Sequence, residues 1–393
     1  MREKLWNRNY LCAWGANFTL FFSFMLIVPL LPIYLQERFG ASKETIGIVL
    51  SGYTIVAMLT RATSGYVVDR FPRKQVLVFG FVLLFAFFFG YILAGTLLLF
   101  AIVRTVHGFP FGVSTVANST VAIDVLPPSR QAEGIGYYGL SNNVATAISP
   151  TIGLWIYQIT GNFDILFVCS LAVSLLGVIM VRRIDYPVAE AEKPDHDIAL
   201  KDNLFLVAGW RQGLAIACYS FAYGVVSTYV AIYGKEELGI SSGAGVFFAL
   251  LASGLIVSRL FGSRSLRKGR VVHNATMGVC LSCVGYLLFA ALHNEVGYYG
   301  CAILVGLGNG HLWPAFQTMF VSMAPAAKRG VANASLLTSW DLGVGLGVIA
   351  GGSLIERFSY HTAFWWAWTI EAAGVLFYLL RVRGQYHPLP QSE

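Results

Sequence analysis

The amino-acid sequence predicts an all-α membrane protein, with twelve transmembrane helices in two pseudo-symmetric six-helix bundles. Of its 393 residues, 56% are hydrophobic and only 12% are charged, about half the charged share of a typical soluble domain. The apolar residues come in blocks long enough to cross a bilayer, which takes roughly 20 residues. One long polar stretch, from Arg182 to Asn203, divides these blocks into two equal sets. Together these observations favour a polytopic membrane chain over a soluble one.

The predicted spans follow one another between polar breaks in the chain. The apolar run after Arg8 is too long for the core of a signal peptide and lacks a small-residue cleavage site, so we expect it to be the first span. The spans centre near Phe22, Ile55, Leu83, Gly112, Ala145, Leu171, Ala217, Leu251, Gly285, Gly308, Gly345 and Trp368. The predicted domains are an N-terminal bundle over residues 1–181, a cytoplasmic linker over residues 182–203 and a C-terminal bundle over residues 204–393.

The placement of lysine and arginine predicts the orientation of the chain. With the N-terminus in the cytoplasm, most basic residues lie on the cytoplasmic side, as the positive-inside rule requires. Eight basic residues are exceptions. Four lie on the non-cytoplasmic side of the membrane: Arg38, Lys43, Lys235 and Arg357. The other four lie within or at the ends of spans: Arg61, Arg104, Arg211 and Arg259. We therefore expect both termini in the cytoplasm. The net charge of +7 is interpreted as topology, and no nucleic-acid partner is expected.

The two halves of the chain repeat each other. Tyr34, Glu37, Gly40 and Ser42 recur 199 positions later as Tyr233, Glu236, Gly239 and Ser241. The same spacing relates Asn142 to Asp341, and a spacing of 198 relates Arg61 to Arg259. Two parallel six-helix repeats, related by an axis along the membrane normal, are typical of transporters that bind substrate between the halves near mid-membrane.

A loop signature lies between the second and third predicted spans, where residues 65–74 read GYVVDRFPRK. It resembles the G-x-x-x-D-R-x-G-R-K loop of the major facilitator superfamily, with Pro72 in place of the usual glycine, and the resemblance extends over essentially the whole chain. In that family the loop holds the halves together while the cytoplasmic side is closed, which implies gating roles for Asp69, Arg70 and Arg73. Asp124, at the cytoplasmic end of the fourth span, is placed to join this cluster. The carboxylate of Asp69 is also favoured at this position, where it can sit at the positive N-terminal end of a neighbouring helix.

Two further segments resemble elements of the same family. Arg104-Thr-Val-His107-Gly108 is similar to the R-x-x-Q-G element of proton-coupled members, with His107 in the glutamine position. Residues 149–153, SPTIG, partly resemble the G-P-x-x-G-G element of antiporters, from which Ser149 and Leu154 depart.

Ionisable side chains within the spans are candidate functional residues. An embedded charge costs about 2.5–3.5 kcal/mol on insertion scales, so each one needs a partner or a task. Arg104 can bind an anionic substrate or pair with backbone carbonyls. His107 and His311 are expected to line the cavity, either as titrating groups or as hydrogen-bonded structural groups. Glu371 has no matching acid in the first half, and we expect a structural or lipid-facing role for it.

Uncharged polar and aromatic residues complete the candidate cavity. Asn17 and Asn118 either contact substrate or hold helices together, and Tyr219 and Tyr223 of the seventh span are candidates for lining the site. The six cysteines lie inside apolar blocks without zinc or redox spacing, so they are interpreted as small buried hydrophobes. No metal ion and no cofactor are expected.

The repeat also predicts a charged pair between the halves. In the facilitator fold the second and eleventh spans pack together, so we expect Arg61 to pair with Asp341 when the cytoplasmic side is closed. Their repeat equivalents, Arg259 and Asn142, are expected at the symmetry-related boundary. Asp341 then serves as a gate alone, as gate and proton carrier, or as a static polar contact.

These features predict a secondary active transporter and not an enzyme, because no Walker loop, nucleophile elbow or metal cluster appears. A channel predicts a selectivity filter or charged ring, and none is evident. The resemblance favours proton-coupled export of a drug- or sugar-like molecule by alternating access, as in antiporters. The alternative is proton-coupled uptake of a sugar or organic acid. The expected partners are a small-molecule substrate, protons and membrane lipid, for a monomer in a bacterial inner membrane.

Overall fold

The computed structural model describes residues 4–127, 131–185, 205–240, 243–267, 270–324 and 329–385. These ranges contain helices and turns but no strand. The helices are α1 Arg8–Ile27, α2 Leu31–Phe39, α3 Lys43–Arg70, α4 Arg73–Leu93, α5 Leu97–Asp124, α6 Gln131–Thr160, α7 Phe163–Arg182, α8 Trp210–Glu236, α9 Gly243–Arg267, α10 Val271–Ala291, α11 Glu295–Ser322, α12 Arg329–Arg357 and α13 Tyr360–Phe377. Every predicted span centre lies within one of these helices, so the predicted element order is confirmed.

The first span is made of two helices. A 3-10 turn, Val28–Leu30, joins α1 to α2 and carries Pro29, which has no backbone N–H to continue an α-helix. The combined segment Arg8–Phe39 is one of nine helices in the described part of the chain that are long and apolar enough to cross a membrane. Of the remaining predicted spans, α6 and α11 contain more glycine and polar residues, which lowers their mean hydropathy. Within α9, the described residues include a shorter apolar helix, Ala244–Ser258.

Helix ends follow local signals in the sequence. Side-chain caps begin several helices: Asn7 for α1, Thr96 for α5, Asn162 for α7 and Ser359 for α13. The repeated glycines Gly40 and Gly239 have φ of 63° and 66°, a conformation that costs glycine little. Each follows the end of a helix, and the next N–H bonds back to a helical carbonyl, Ala41 to Leu35 and Ile240 to Gly234.

The chain divides into two compact units. The first comprises residues 1–34 and 55–198, and the second comprises residues 35–54 and 199–393. The end of α2 and the first part of α3 therefore belong with the C-terminal helices. Most of the predicted linker, residues 182–203, lies outside the described residues, so its place as a domain boundary stays a prediction.

In the first unit, α1 packs against α6 and α7, and α4 packs against α5 and α7. Gly153 of α6 lies directly against the backbone carbonyl of Leu26 in α1, so a side chain at this position would collide with it. The aromatic ring of Tyr34 lies 5.3 Å from Phe100 and 5.2 Å from Phe167, centroid to centroid. These rings join the ends of α2, α5 and α7.

In the second unit, α8 packs against α12 and α13, while α11 packs against α9 and α10. Gly343 and Gly347 of α12 lie against the backbone carbonyls of Ala217 and Phe221 in α8. The glycine-rich α12 therefore packs closely against α8. Tyr233, the repeat equivalent of Tyr34, likewise packs among aromatic rings: Phe289, Tyr298, Tyr360 and Phe364.

Candidate functional site

A buried polar chain joins α4 and α5 in the first unit. Arg104 Nη1 donates to Tyr91 Oη at 3.3 Å, and that hydroxyl lies 2.8 Å from Nδ1 of His107. Arg104 and His107 are three residues apart on α5 and therefore share a helix face. All three side chains are buried. Tyr91 was not among the predicted residues, because a tyrosine near the end of a span is usually an interface anchor.

Aromatic rings surround this polar chain. The guanidinium carbon of Arg104 lies 4.7 Å from the ring centroid of Phe24, an arrangement that stabilises a cation through the ring face. The imidazole of His107 packs against Phe88 at 4.8 Å edge to face and is stacked on Phe87 at 5.6 Å. The first unit thus holds a positive charge inside the membrane, next to a titratable imidazole.

The predicted residues Asn17 and Asn118 are connected through Tyr138. Asn118 Nδ2 donates to Tyr138 Oη at 2.9 Å, and this hydroxyl donates to Asn17 Oδ1 at 2.9 Å. Asn17 Nδ2 also donates to Ser141 Oγ at 2.8 Å. The network links α1, α5 and α6. These hydrogen bonds suit the second of the two roles predicted for the asparagines, holding helices together, and their contact with substrate stays a prediction.

The loop signature places a salt bridge between α4 and α5. Arg73 Nη1 lies 2.8 Å from Asp124 Oδ2, with the two side chains 36% and 27% exposed. Arg73 begins α4 and Asp124 ends α5, so the pair ties together two helix ends. The side chains of Asp69 and Arg70 lie outside the described residues, and the rest of the predicted cluster stays a prediction.

Three aromatic side chains surround Trp340 in the second unit, and we call these four residues the Trp340 cluster. The ring centroids of Trp313, Tyr223 and Tyr219 lie 5.1, 5.3 and 5.6 Å from that of Trp340. Tyr219 is buried, while Trp313, Trp340 and Tyr223 are half-buried. Half-buried aromatic faces can bind planar or cationic organic groups. The two tryptophans were not predicted, because tryptophan is usually an interface residue in membrane helices.

His311 is paired within its own bundle. Its Nδ1 donates to Asn274 Oδ1 at 3.1 Å, which links α11 to α10, and both side chains are buried. This hydrogen bond fixes the orientation of the ring. Within the described ranges, no three His, Cys, Asp or Glu side chains are grouped so that they could hold a metal ion.

The turn between α2 and α3 carries a polar network within the second unit. Glu37 Oε1 accepts from Lys235 Nζ at 2.7 Å, and Glu236 Oε1 accepts from Gln36 Nε2 at 2.6 Å. Lys43 Nζ lies 3.2 Å from the other oxygen of Glu236. Glu37 and Glu236 are repeat equivalents, so the repeat that the sequence shows also marks two carboxylates that take part in one network.

The same network extends to the α12–α13 turn. Glu44 Oε1 accepts from Arg357 Nη2 at 3.0 Å, and Glu356 Oε2 accepts from the backbone N–H of Lys43 at 2.8 Å. Tyr360 Oη donates to Glu236 Oε2 at 2.7 Å. We call this set the α2–α3 network: Gln36, Glu37, Lys43, Glu44, Lys235, Glu236, Glu356, Arg357 and Tyr360. Sequence reasoning did not single it out as a site, because each residue by itself is an ordinary polar loop residue.

The predicted charged pair is divided between the two units. Arg61 belongs to the first unit, where its guanidinium carbon lies 5.4 Å from the ring centroid of Phe111. Asp341 belongs to α12 of the second unit. Asn142 Oδ1 accepts from Thr146 Oγ1 at 3.1 Å, and the side chain of Arg259 lies outside the described residues. The pairing of Arg61 with Asp341 stays a prediction.

Glu371 does not face lipid, so that part of its predicted role is wrong. Its side chain is only 1% exposed within the second unit. Ser282 Oγ of α10 donates to Glu371 Oε1 at 2.6 Å. The sequence does not reveal this burial, because a lone acid in the last span gives no sign of which helices pack around it. Burial against α8 and α10 instead removes the carboxyl from the lipid.

Comparison with known proteins matches this chain to one family model and to bacterial export proteins. The model of the Major Facilitator Superfamily matches residues 13–310 and 275–393. The chain is 24% identical over 371 residues to the staphylopine export protein of Staphylococcus aureus, covering 89% of each chain. It is also 24% identical over 409 residues to the multi-drug resistance efflux pump PmrA of Streptococcus pneumoniae, covering 98% of each.

The fold is also similar to that of solved transporters. A crystal structure of the nucleoside transporter NupG matches with a TM-score of 0.75 and 13% identity, covering 95% of this chain and 99% of that chain. At this identity the match concerns the fold alone. It agrees with the twelve-span architecture that the sequence predicts.

Proposed function

The chain belongs to the Major Facilitator Superfamily, and on this premise we propose that it exports a small organic molecule in exchange for protons. It is a membrane transporter with efflux proteins among its relatives, and not an enzyme. We infer export, and not uptake, from the match to an efflux pump along 98% of the chain. Proton exchange is supported by the ionisable groups buried within the bundles, among them His107 and Glu371.

Alternating access requires a closure on each side of the membrane. We assign one closure to the α2–α3 network, because it fastens the second and third helices of the chain to the ends of α8, α12 and α13 by charged hydrogen bonds. The opposite closure is assigned to the loop signature with its Arg73–Asp124 bridge, together with the predicted pair of Arg61 and Asp341. Such contacts can break and re-form, because part of each exposed ion pair is already hydrated.

The proposed orientation follows from the positive-inside rule. Both termini and the loop signature lie in the cytoplasm of a bacterial cell, and the α2–α3 network faces the other side of the inner membrane. The substrate is drug- or sugar-like. The half-buried rings of the Trp340 cluster supply an apolar, π-rich surface for it, and Arg104 supplies positive charge.

The proposed function is tested by ligand flux in proteoliposomes and by the compound sensitivity of cells that lack the protein. A thermal-shift screen of the purified protein identifies ligands, and each ligand is then followed in proteoliposomes with and without an imposed proton gradient. We expect the gradient to drive the ligand in the direction opposite to the protons. A flux that no gradient of either sign alters would contradict proton coupling. Cells without the protein should become sensitive to exported compounds; failure to grow on a nutrient would instead indicate uptake.

The role of the α2–α3 network is tested by a reversible crosslink. Gln36 Nε2 and Glu236 Oε1, at the ends of two long side chains, lie 2.6 Å apart. A Gln36→Cys, Glu236→Cys pair in a background without native cysteines is therefore expected to be bridged by a short, reducible bis-methanethiosulfonate crosslinker, which spans the length that the two shorter side chains leave open. The crosslinker should stop ligand flux and reduction should restore it, because a gate fixed in one state cannot cycle. Each single cysteine variant is the control and should keep its flux after treatment with the crosslinker. A crosslinked protein with normal flux would rule out a gate at this position.

A further inference from the structure

Glu371 is a buried acid that neither proposed gate uses. It lies on α13, which packs against α8, α10 and α12, and its Oε1 accepts a hydrogen bond from Ser282 Oγ. Its other oxygen, Oε2, is also buried and has no hydrogen-bond partner within the described ranges. A carboxylate in such a place carries an unfavourable desolvation energy, which one hydroxyl does not offset. The closed packing around Glu371 therefore favours the neutral, protonated carboxyl. A looser packing that admits new hydrogen-bond donors favours the charged carboxylate.

The groups facing Glu371 are neutral proton donors and acceptors. They come from three helices, and each is close enough to interact electrostatically with the carboxyl: Cys218 and Tyr219 of α8, Cys283 and Tyr286 of α10, and Cys301 of α11. Free thiols and phenols carry no charge at neutral pH in their ordinary state. From α12, the indole of Trp340 packs on Tyr219, and Asp341 follows Trp340 in the sequence. None of the thiols or phenols supplies a positive charge that would offset an ionised Glu371.

Tyr219 connects the acid to the half-buried side of the bundle. Its ring centroid lies 6.4 Å from that of Tyr286, which also interacts electrostatically with Glu371. On its other side, the ring centroid of Tyr219 lies 5.6 Å from that of Trp340. Tyr219 itself is 2% exposed, whereas Trp340 and Tyr223 are half-buried. Tyr219 Oη is buried without a hydrogen-bond partner among the described residues, and a phenol can accept one proton while donating another. Tyr219 can therefore relay protons between Glu371 and water beside the half-buried Tyr223 once the packing loosens.

We propose that Glu371 is a proton-binding site of the C-terminal bundle, and that Tyr219, the buried member of the Trp340 cluster, connects it to the half-buried members of that cluster. The proposal rests on proton-coupled export. A proton from water converts the Glu371 carboxylate into a neutral acid, which the closed packing of α8, α10 and α13 accommodates. Release of the proton returns a negative charge, which needs new donors. Water or the neighbouring hydroxyls supply them only where the packing loosens, so proton release is linked to a change in this bundle.

Infrared difference spectroscopy of the full chain in lipid nanodiscs tests the proposal without a substrate. Spectra recorded at acidic and alkaline pH should show a protonated-carboxyl band that titrates. Glu371→Gln should remove this band while keeping the shape of the side chain. The matched control is Glu295→Gln, an exposed acid of the same bundle, which should leave the band in place. A band that titrates unchanged in Glu371→Gln, or no titrating band in the wild type, would overturn the proposal.

Two further variants keep the test decisive if Glu371→Gln does not fold. Ser282→Ala removes the hydrogen bond to Oε1 and leaves the acid, so the carboxyl band should move to a different frequency; an unmoved band would assign it to another group. Tyr219→Phe should slow deuterium exchange of the carboxyl, and unchanged exchange would remove Tyr219 from the route. The infrared result does not depend on flux, so a wild type whose flux ignores a proton gradient contradicts the proposed function separately.

Discussion

At the scale of single residues, the buried polar groups of the first unit bond to one another across helices. Tyr138 accepts from Asn118 and donates to Asn17, so one hydroxyl serves two buried amides. The sequence marks such residues, because polar groups are rare within apolar spans and need partners there. It does not say which polar residues meet, since the partners lie 20 and 121 positions apart and on different helices.

Tyr138→Phe tests the stabilising role of this network. The change should lower the free energy of unfolding by about 1 kcal/mol, because interhelical hydrogen bonds in membrane proteins contribute roughly 0.6 kcal/mol each and two are lost. Thermal unfolding of the purified protein in detergent measures it. Tyr137→Phe is the matched control, since the neighbouring side chain is 40% exposed, and it should have little effect. Equal stabilities for the two variants would assign the asparagines to another role.

At the scale of elements, the glycines of α12 determine how closely it approaches α8. Gly343, Gly347 and Gly351 are spaced four residues apart and therefore lie on one face of the helix. Each faces α8, and a Cβ at Gly347 would meet the carbonyl of Phe221. Close approach through small residues is a common source of helix association in membranes, where apolar side chains gain little from leaving lipid.

Gly347→Ala should separate α8 from α12 and destabilise the protein. An added methyl in a packed interface costs about 1–3 kcal/mol, so we expect a lower unfolding temperature and a weaker response in ligand thermal-shift assays. The matched control is Gly300→Ala on α11, where a Cβ meets nothing within 4 Å. That change should be neutral or slightly stabilising, because alanine favours helix more than glycine does. The packing argument would fail if Gly347→Ala were as stable as Gly300→Ala.

At the scale of the whole molecule, we predict that transport depends on Asp341, whose predicted partner, Arg61, belongs to the other unit. Asp341→Asn keeps the shape of the side chain and removes its charge. If Asp341 is a gate alone, the variant should leak but still exchange ligand across proteoliposomes. If it also carries protons, gradient-driven accumulation should disappear while exchange remains. Asp164→Asn, an exposed acid of the first turn of α7, is the control. A variant with wild-type flux in both assays would leave Asp341 a static contact.

The orientation of the molecule is a separate whole-molecule prediction. A reporter that is active only in the cytoplasm, fused at Gln391, should be active, because the basic residues near both termini favour the cytoplasmic side. A second reporter that is active only outside the membrane, fused at the same position, is the control and should be silent. The reverse pattern would invert the proposed sides of the two gates.

The sequence by itself determined the fold and the family. The apolar blocks determine the number and approximate positions of the helices. In a bilayer the backbone N–H and C=O groups must form hydrogen bonds within each span, and a helix satisfies them. The repeat of Gly40 and Gly239 predicted equivalent helix ends, and the GYVVDRFPRK loop indicated the family. Motifs and periodicity could also select Arg104, His107 and Asp124 as candidates.

Only the tertiary structure decided which side chains meet and which face is buried. It brought Tyr91 between Arg104 and His107 and assembled the α2–α3 network from three distant segments. It also enclosed Glu371, for which the sequence had left a structural and a lipid-facing role open. The reason is physical. A membrane helix is apolar on its lipid side and its packed side alike, so periodicity does not tell the two apart. Side-chain partnerships arise from packing between segments that the chain order does not place together.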